Sequence, residues 1–266
     1  MKRIQLFELE DFNWFPDLIR SPMTRLLKVL NSWMGLDEAI AKLVERIIVE
    51  TGISTIVDLG SGSGGVMPIV HQRLSESNND RNVNLMLTDL HPSQTALAEF
   101  KQNKDGITYH ATPVDATKAT SVPSGIKTMV NSFHHMPPSV ATKILRAAQE
   151  SGEPLLIFEM QENKIPTLIW ALFLPLGLII TFIMALVLTP FSKPLTFSQL
   201  VFTYLIPVIP LCFAWDGQAS YARLYSISDI DELLEGLASS SYTWKKGIGT
   251  KKNGRSIGTY LLGMPD

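Results

Sequence analysis

The chain has 266 residues, 45% of them hydrophobic, and its 23 Lys and Arg against 25 Asp and Glu leave a formal net charge of −2. That length suffices for one large core with a modest appendage, and no run of Lys and Arg forms the basic patch a nucleic-acid partner would require, so none is expected. A single cysteine, Cys212, excludes an internal disulfide and a thiolate metal cluster, and fits a reducing compartment.

At the N-terminus, Glu8, Glu10 and Asp11 stand where a signal peptide would carry its apolar segment, so export is not expected. Two helices are predicted over 23–33 and 37–50. Short β-rich runs then alternate with helical segments: strands at 54–59, 83–89, 107–112, 126–131 and 154–160, and helices at 66–75, 92–102 and 138–151, the last entered through Pro137-Pro138 and stopped by Gly152. This alternation predicts a mostly parallel sheet covered by helices. Ser228 with Asp231 three positions on predicts a capping box opening a further helix. Two last runs, 242–249 and 256–263, are joined across Asn253-Gly254, a hairpin signal, so the sheet is expected to close on an antiparallel strand.

The first strand runs into "VDLGSGSGG", where four glycines fall within six positions, Gly60, Gly62, Gly64 and Gly65. A strand, a glycine turn and a helix bring backbone N–H groups to the C-terminal edge of an open sheet, where nucleotides bind. Gly60, Gly62 and Gly65 satisfy G-x-G-x-x-G, and Asp89 ends the second strand at a spacing suited to ribose hydroxyls. Dinucleotide and S-adenosylmethionine binding both remain open on that pattern. Asp58 favours the second, because a carboxylate near a pyrophosphate is repelled and one near a cationic amino group is attracted. Its bland alternative is a turn residue capping its own backbone.

Taken together, "VDLGSGSGG", "LMLTDLHP", "TPVDAT" and "VNSFHHMPP" resemble, over roughly 54–160 and again in the terminal hairpin, the class I S-adenosylmethionine-dependent methyltransferases. The resemblance implies an α/β, Rossmann-like, doubly wound and mostly parallel seven-stranded sheet with an antiparallel terminal strand. It implies S-adenosylmethionine as cofactor, with Asp58, Gly60, Ser61 and Gly62 around the amino acid moiety and Asp89 on the ribose. Leu90 would pack near the adenine, Asp115 and Ala116 would lie at its edge, and Asn131 and Ser132 under the methionine part.

Methyl transfer from a sulfonium needs an oriented acceptor, excluded water and, where the nucleophile carries a proton, a base. His134 and His135 follow the fourth strand on the edge where the methyl group would sit, and Glu159 ends the fifth on the same edge. All three are catalytic candidates, against the plainer readings of loop and capping residues. "NSFHH" departs from the Asn-Pro-Pro-aromatic pattern of amino-methylating nucleic-acid enzymes and is similar to the quinone-biosynthesis and small-molecule type. His71, His91 and His110 fall at no metal-ligand spacing, and no metal is assigned.

From Ile165 to Ser192 there is no charged residue, and after Lys193 none until Asp216. The first run exceeds the roughly 20 apolar residues that cross a bilayer, and the second is broken by Pro207 and Pro210. An apolar cap inside a soluble protein would leave much of such surface uncovered. Membrane association is therefore expected, on the cytoplasmic face through a hairpin in or across the leaflet, with plain cytoplasmic residence as the alternative. "WDGQASYARLYS" leads out of the run, with Asp216 and Arg223 expected to pair and brace it. The expected organisation is a helical cover over 1–50, a cofactor-binding core over 51–160, a hydrophobic insertion over 161–225, and a terminal helix and hairpin over 226–266.

The expected activity is methyl transfer to an apolar, membrane-dissolved small molecule such as a quinone, phenolic or lipid-like acceptor. Alternatives are a small soluble or volatile acceptor such as a thiol, a nicotinamide-dependent oxidoreductase, and a membrane-anchored nucleotide-binding protein without turnover.

Overall fold

In the computed structural model, which describes residues 1–12, 14–77, 82–100, 105–118 and 121–266, the elements are, in order, α1 (Asp17–Met34), α2 (Leu36–Thr51), β1 (Thr55–Leu59), α3 (Met67–Ser77), β2 (Asn84–Thr88), α4 (Gln94–Glu99), β3 (Ile107–Tyr109), β4 (Ile126–Val130), α5 (Pro138–Ser151), β5 (Leu155–Glu159), α6 (Thr167–Leu188), α7 (Phe197–Leu200), α8 (Val208–Arg223), α9 (Ile227–Leu234), β6 (Tyr242–Thr250) and β7 (Ser256–Pro265). The chain divides into two units, 35–161 with 230–266, and 1–34 with 162–229. The five predicted parallel strands and the terminal hairpin are all present. The end of the predicted 92–102 helix, residues 101–102, lies outside the described residues.

The first unit is built on a seven-stranded sheet of order β3-β2-β1-β4-β5-β7-β6. Strands β1 to β5 pair in parallel, and β7 runs antiparallel to both β5 and β6. The apolar strand runs bury Ile56, Leu85, Ile126, Leu156 and Phe158, as parallel strands covered on both faces must. Onto this core α2 sets the face carrying Leu36, Ile40, Val44 and Ile47, and it belongs with the sheet rather than with α1. The expected cover over 1–50 is therefore split at Gly35, whose left-handed backbone (φ 72°) separates the two helices. The hairpin turn uses Gly254 (φ 79°), whose N–H donates to Lys251 O.

The second unit is helical. α6 and α8 form a hairpin with close approach at small residues: Gly177 faces Gln218, and Gly217 faces Thr181. α1 adds Phe15, Ile19, Met23 and Leu26 to a cluster with Ala185, Leu188, Ile209 and Phe213. Thr167–Phe191 is long and apolar enough to cross a membrane, and Phe197–Leu205 with Val208–Arg223 form a pair bent by 76°.

Two expectations are corrected here. Asp216 and Arg223 do not pair with one another: Asp216 accepts the N–H groups of Leu9 (2.8 Å) and Glu10 (3.2 Å), while Arg223 pairs with Glu8 (2.6 Å) and Asp11 (2.7 Å). Each charge found its partner in the N-terminal segment, beyond the reach of any local pattern. The capping box is Ser226 with Asp229, two residues before the predicted one, since Asp229 N donates to Ser226 Oγ and Ser226 N to Asp229 Oδ2.

Candidate active site

Strands β1 and β4 are adjacent and their connections leave in opposite directions, so a crevice opens at the carboxyl ends of the sheet at this switch point. The chain after β1 turns through Gly60 (φ 68°), Gly62 (52°), Gly64 (95°) and Gly65 (51°), all left-handed. At Gly60 a Cβ would lie 3.6 Å from Ser132, so the turn and the loop after β4 nearly touch across the crevice. A Cβ at Gly62 or Gly65 would meet nothing within 4 Å, so there the turn faces open space.

Beneath the turn lies Asp58, only 4% exposed. Its carboxylate accepts the hydroxyls of Ser61 (2.6 Å) and Thr128 (2.7 Å), and Thr88 Oγ1 donates to its carbonyl (2.8 Å). The Ser61 N–H donates to Thr88 O at 2.9 Å. Asp58 thus ties β1, β2 and β4 together from below. Burial pushes its acid up to about 7, the two hydroxyl bonds pull the other way, and the nearby Asp89 charge adds to the rise.

Asp89 stands above, half-buried at the end of β2. One carboxylate oxygen accepts Gly62 N–H and the other His91 N–H, each at 2.8 Å. Each oxygen keeps a further lone pair, so the carboxylate can accept from a diol without giving up either bond. Asp89 O accepts Val114 N–H (2.9 Å), bringing the loop of Asp115 and Ala116 alongside. Asp115 itself accepts from Thr117 and Lys118, and the Thr117 bonds hold its acid below the usual carboxylate range. Ala116 lines a small hollow with Leu59, Val122 and Ile144. Leu90 is half exposed beside Asp89.

Across the crevice, Asn131 adopts a left-handed backbone (φ 50°). It is fixed to β5 through its N–H to Phe158 O (2.9 Å) and its Oδ1 from Met160 N–H (2.8 Å). Buried Ser132 follows, then His134. Glu159 holds His134 twice, accepting its backbone N–H at 3.0 Å and lying 2.9 Å from Nδ1. The ring of His135 lies 4.4 Å from that of His134. Two candidates that sequence placed on neighbouring strand ends are thus one hydrogen-bonded pair.

One contributor has no sequence expectation. The Tyr109 hydroxyl, from the end of β3, donates to Gly62 O (2.8 Å) and accepts Ser93 N–H (3.1 Å), linking the glycine turn to the N-cap of α4. The available signal was "ITYH", a polar-tipped aromatic at the carboxyl end of a strand.

Five parallel strands, a reversed seventh strand between β5 and β6, and a glycine turn at the switch point define the class I methyltransferase fold. No family model matches the sequence, and no curated protein matches it. Among solved structures the chain is similar to the plantazolicin methyltransferase BpumL in complex with SAH, at 11% identity over 94% of this chain and 87% of that one, TM-score 0.48. It is similar also to the plantazolicin methyltransferase BamL in complex with a triazolic desmethylPZN analog and SAH (9%, 93% and 97%, TM-score 0.49). A third is the methyltransferase domain of bacterial-CtHen1-CN (8%, 86% and 99%, TM-score 0.47).

Proposed function

We propose that this protein is an S-adenosylmethionine-dependent methyltransferase acting on an apolar, membrane-dissolved small molecule, and that it works on the cytoplasmic face of a membrane. The observation that carries the cofactor assignment is the open, left-handed glycine turn whose Gly62 N–H is held by the Asp89 carboxylate. Gly60, Ser61 and Gly62 would receive the amino acid moiety, Asp89 the ribose hydroxyls, and Leu90 with the Asp115–Ala116 loop the adenine. Open space at Gly62 and Gly65 fits a ligand laid against backbone, which any Cβ there would obstruct. Asp58 acts from underneath, where its hydroxyl partners fix the turn's shape.

When bound, the cofactor supplies a methyl group already activated on sulfur. The chain's part is to position the acceptor and manage its proton. With Glu159 accepting from Nδ1–H, His134 is held in the tautomer whose Nε2 is basic, and Glu159 stabilises the imidazolium formed when that nitrogen takes a proton from the acceptor. Asn131 and Ser132 set the loop that carries the pair.

The apolar acceptor and the membrane location draw support from the charge-free run 165–192 and the broad exposed apolar surface of α6. Purified protein incubated with methyl-labelled cofactor and total cell extract tests the proposal. Label is expected in the organic phase. Label confined to the aqueous phase would overturn the apolar acceptor, and label in neither phase would overturn the activity.

A further inference from the structure

α6 spans 22 residues, about 33 Å at 1.5 Å per residue, enough by length to cross a hydrocarbon core of roughly 30 Å. Two observations oppose a crossing. At its C-terminal end Phe191 packs against Trp33, ring centroids 4.8 Å apart, and Trp33 is two residues from Gly35, after which Leu36 and Ile40 of α2 are fixed in the sheet core. At its N-terminal end, residues 160–166 connect it to β5, a link reaching at most about 25 Å. With chain links this short from each end to strands and helices of one sheet, the two ends cannot lie on opposite sides of a bilayer.

The second observation is charge. α1, which packs on the C-terminal half of α6 and on α8, carries Asp17, Arg20, Arg25 and Lys28, and Arg25 donates to Gln199 at 2.9 Å. A spanning α6 would carry these groups toward the hydrocarbon, where each costs about 2.5 kcal/mol or more. Leu168, Leu172, Phe173, Ile179 and Ile180 are among the exposed side chains of α6, an apolar surface broad enough to meet acyl chains. Trp14, just before α1, and Trp33, near its end, are 69% and 54% exposed, and such rings favour the headgroup level. A helix linked closely to the sheet at both ends, with a cationic neighbour packed on it, describes an element lying in a single leaflet, with α1 toward the anionic headgroups.

We infer that the helical unit is a monotopic membrane element: α6 lies along the bilayer in one leaflet, and the 190–196 turn that follows it stays on the same side as the sheet. The inference rests on the membrane association proposed above and commits it to one topology. An acceptor dissolved in that leaflet would then need no passage across the membrane.

The test places a unique cysteine at exposed Lys193 (Lys193→Cys) in full-length Cys212→Ser protein, with Lys252→Cys in the β6–β7 turn as the reference for the sheet's side. Leu195→Cys serves as a second position in the same turn should the first variant fold poorly. Inverted vesicles and intact cells of the expression host are treated with a membrane-impermeant maleimide. Equal labelling of both turns in inverted vesicles and of neither in intact cells is expected. Labelling of position 193 or 195 from the side opposite to 252 would overturn the topology while leaving membrane association standing. Recovery of the protein in the supernatant after vesicle sedimentation would overturn both, and apolar-face dimers in that supernatant would assign the face to a second copy.

Discussion

The sheet unit and the helical unit both bury apolar cores and differ in the surface they show. In the sheet unit Ile56, Leu85, Ile126 and Phe158 are inside, and Asp58, Asp89 and the Glu159–His134 pair stand at the carboxyl ends of the strands. In the helical unit Glu8, Thr189, Ser192, Gln199, Thr203 and Arg223 are at most 4% exposed, while Leu168 and Leu172 are 83% and 74% exposed. The exposed leucines and isoleucines of α6 form the surface that the proposed membrane association would cover. The two surfaces should therefore fail independently.

The largest effect is expected at the sheet's edge. Asp89→Ala removes the acceptor for Gly62 N–H and for the ribose, two bonds to a charged group, each about 1.5–3 kcal/mol. Affinity for S-adenosylhomocysteine should fall at least about 100-fold by calorimetry with the far-ultraviolet spectrum unchanged; undiminished affinity would remove Asp89 from the site. Next, His134→Ala should lower kcat by about 100-fold, in the range of lost general-base catalysis, and Glu159→Gln by less, with cofactor affinity retained in both. Wild-type turnover in both variants would make the pair structural.

On the other surface, Leu172→Glu with Ile179→Glu should weaken binding to anionic vesicles by about 10-fold or more through the lost apolar contact, yet leave homocysteine-analogue affinity untouched. Coupled losses would break the proposed independence. The smallest effect is thermal. Folded Asp58 keeps its proton up to about pH 7 while the unfolded group loses it near 3.8, so its contribution to stability is complete below the lower value and lost as pH rises through the upper. A melting-temperature profile from pH 4 to 8 should contain this decline, and Asp58→Asn should flatten it.

How much of this was legible follows from distance along the chain. "VDLGSGSGG" declares its turn because strand, acid and glycines are contiguous, and Asn253-Gly254 declares the hairpin for the same reason. The Glu159–His134 pair was half legible: both were placed on one edge, but their bond depends on β4 and β5 being neighbours. Tyr109 was invisible because its partner, Gly62, is 47 residues away. Asp58 was assigned to the ligand side, and its hydroxyl partners Thr88 and Thr128 enter only once β2 and β4 flank β1. The division at Gly35 was hidden because α1 and α2 both carry an apolar stripe, and periodicity does not say which core a stripe will join.

On the proposed function, the glycine turn at the β1–β4 crevice holds an adenosyl-amino acid. Isothermal titration of the full-length protein with S-adenosylhomocysteine and, separately, with NADH tests it most directly. Saturable binding of the first alone, abolished by Asp89→Ala, is the predicted result. Binding of NADH with none of S-adenosylhomocysteine would contradict the account and make the turn a dinucleotide site.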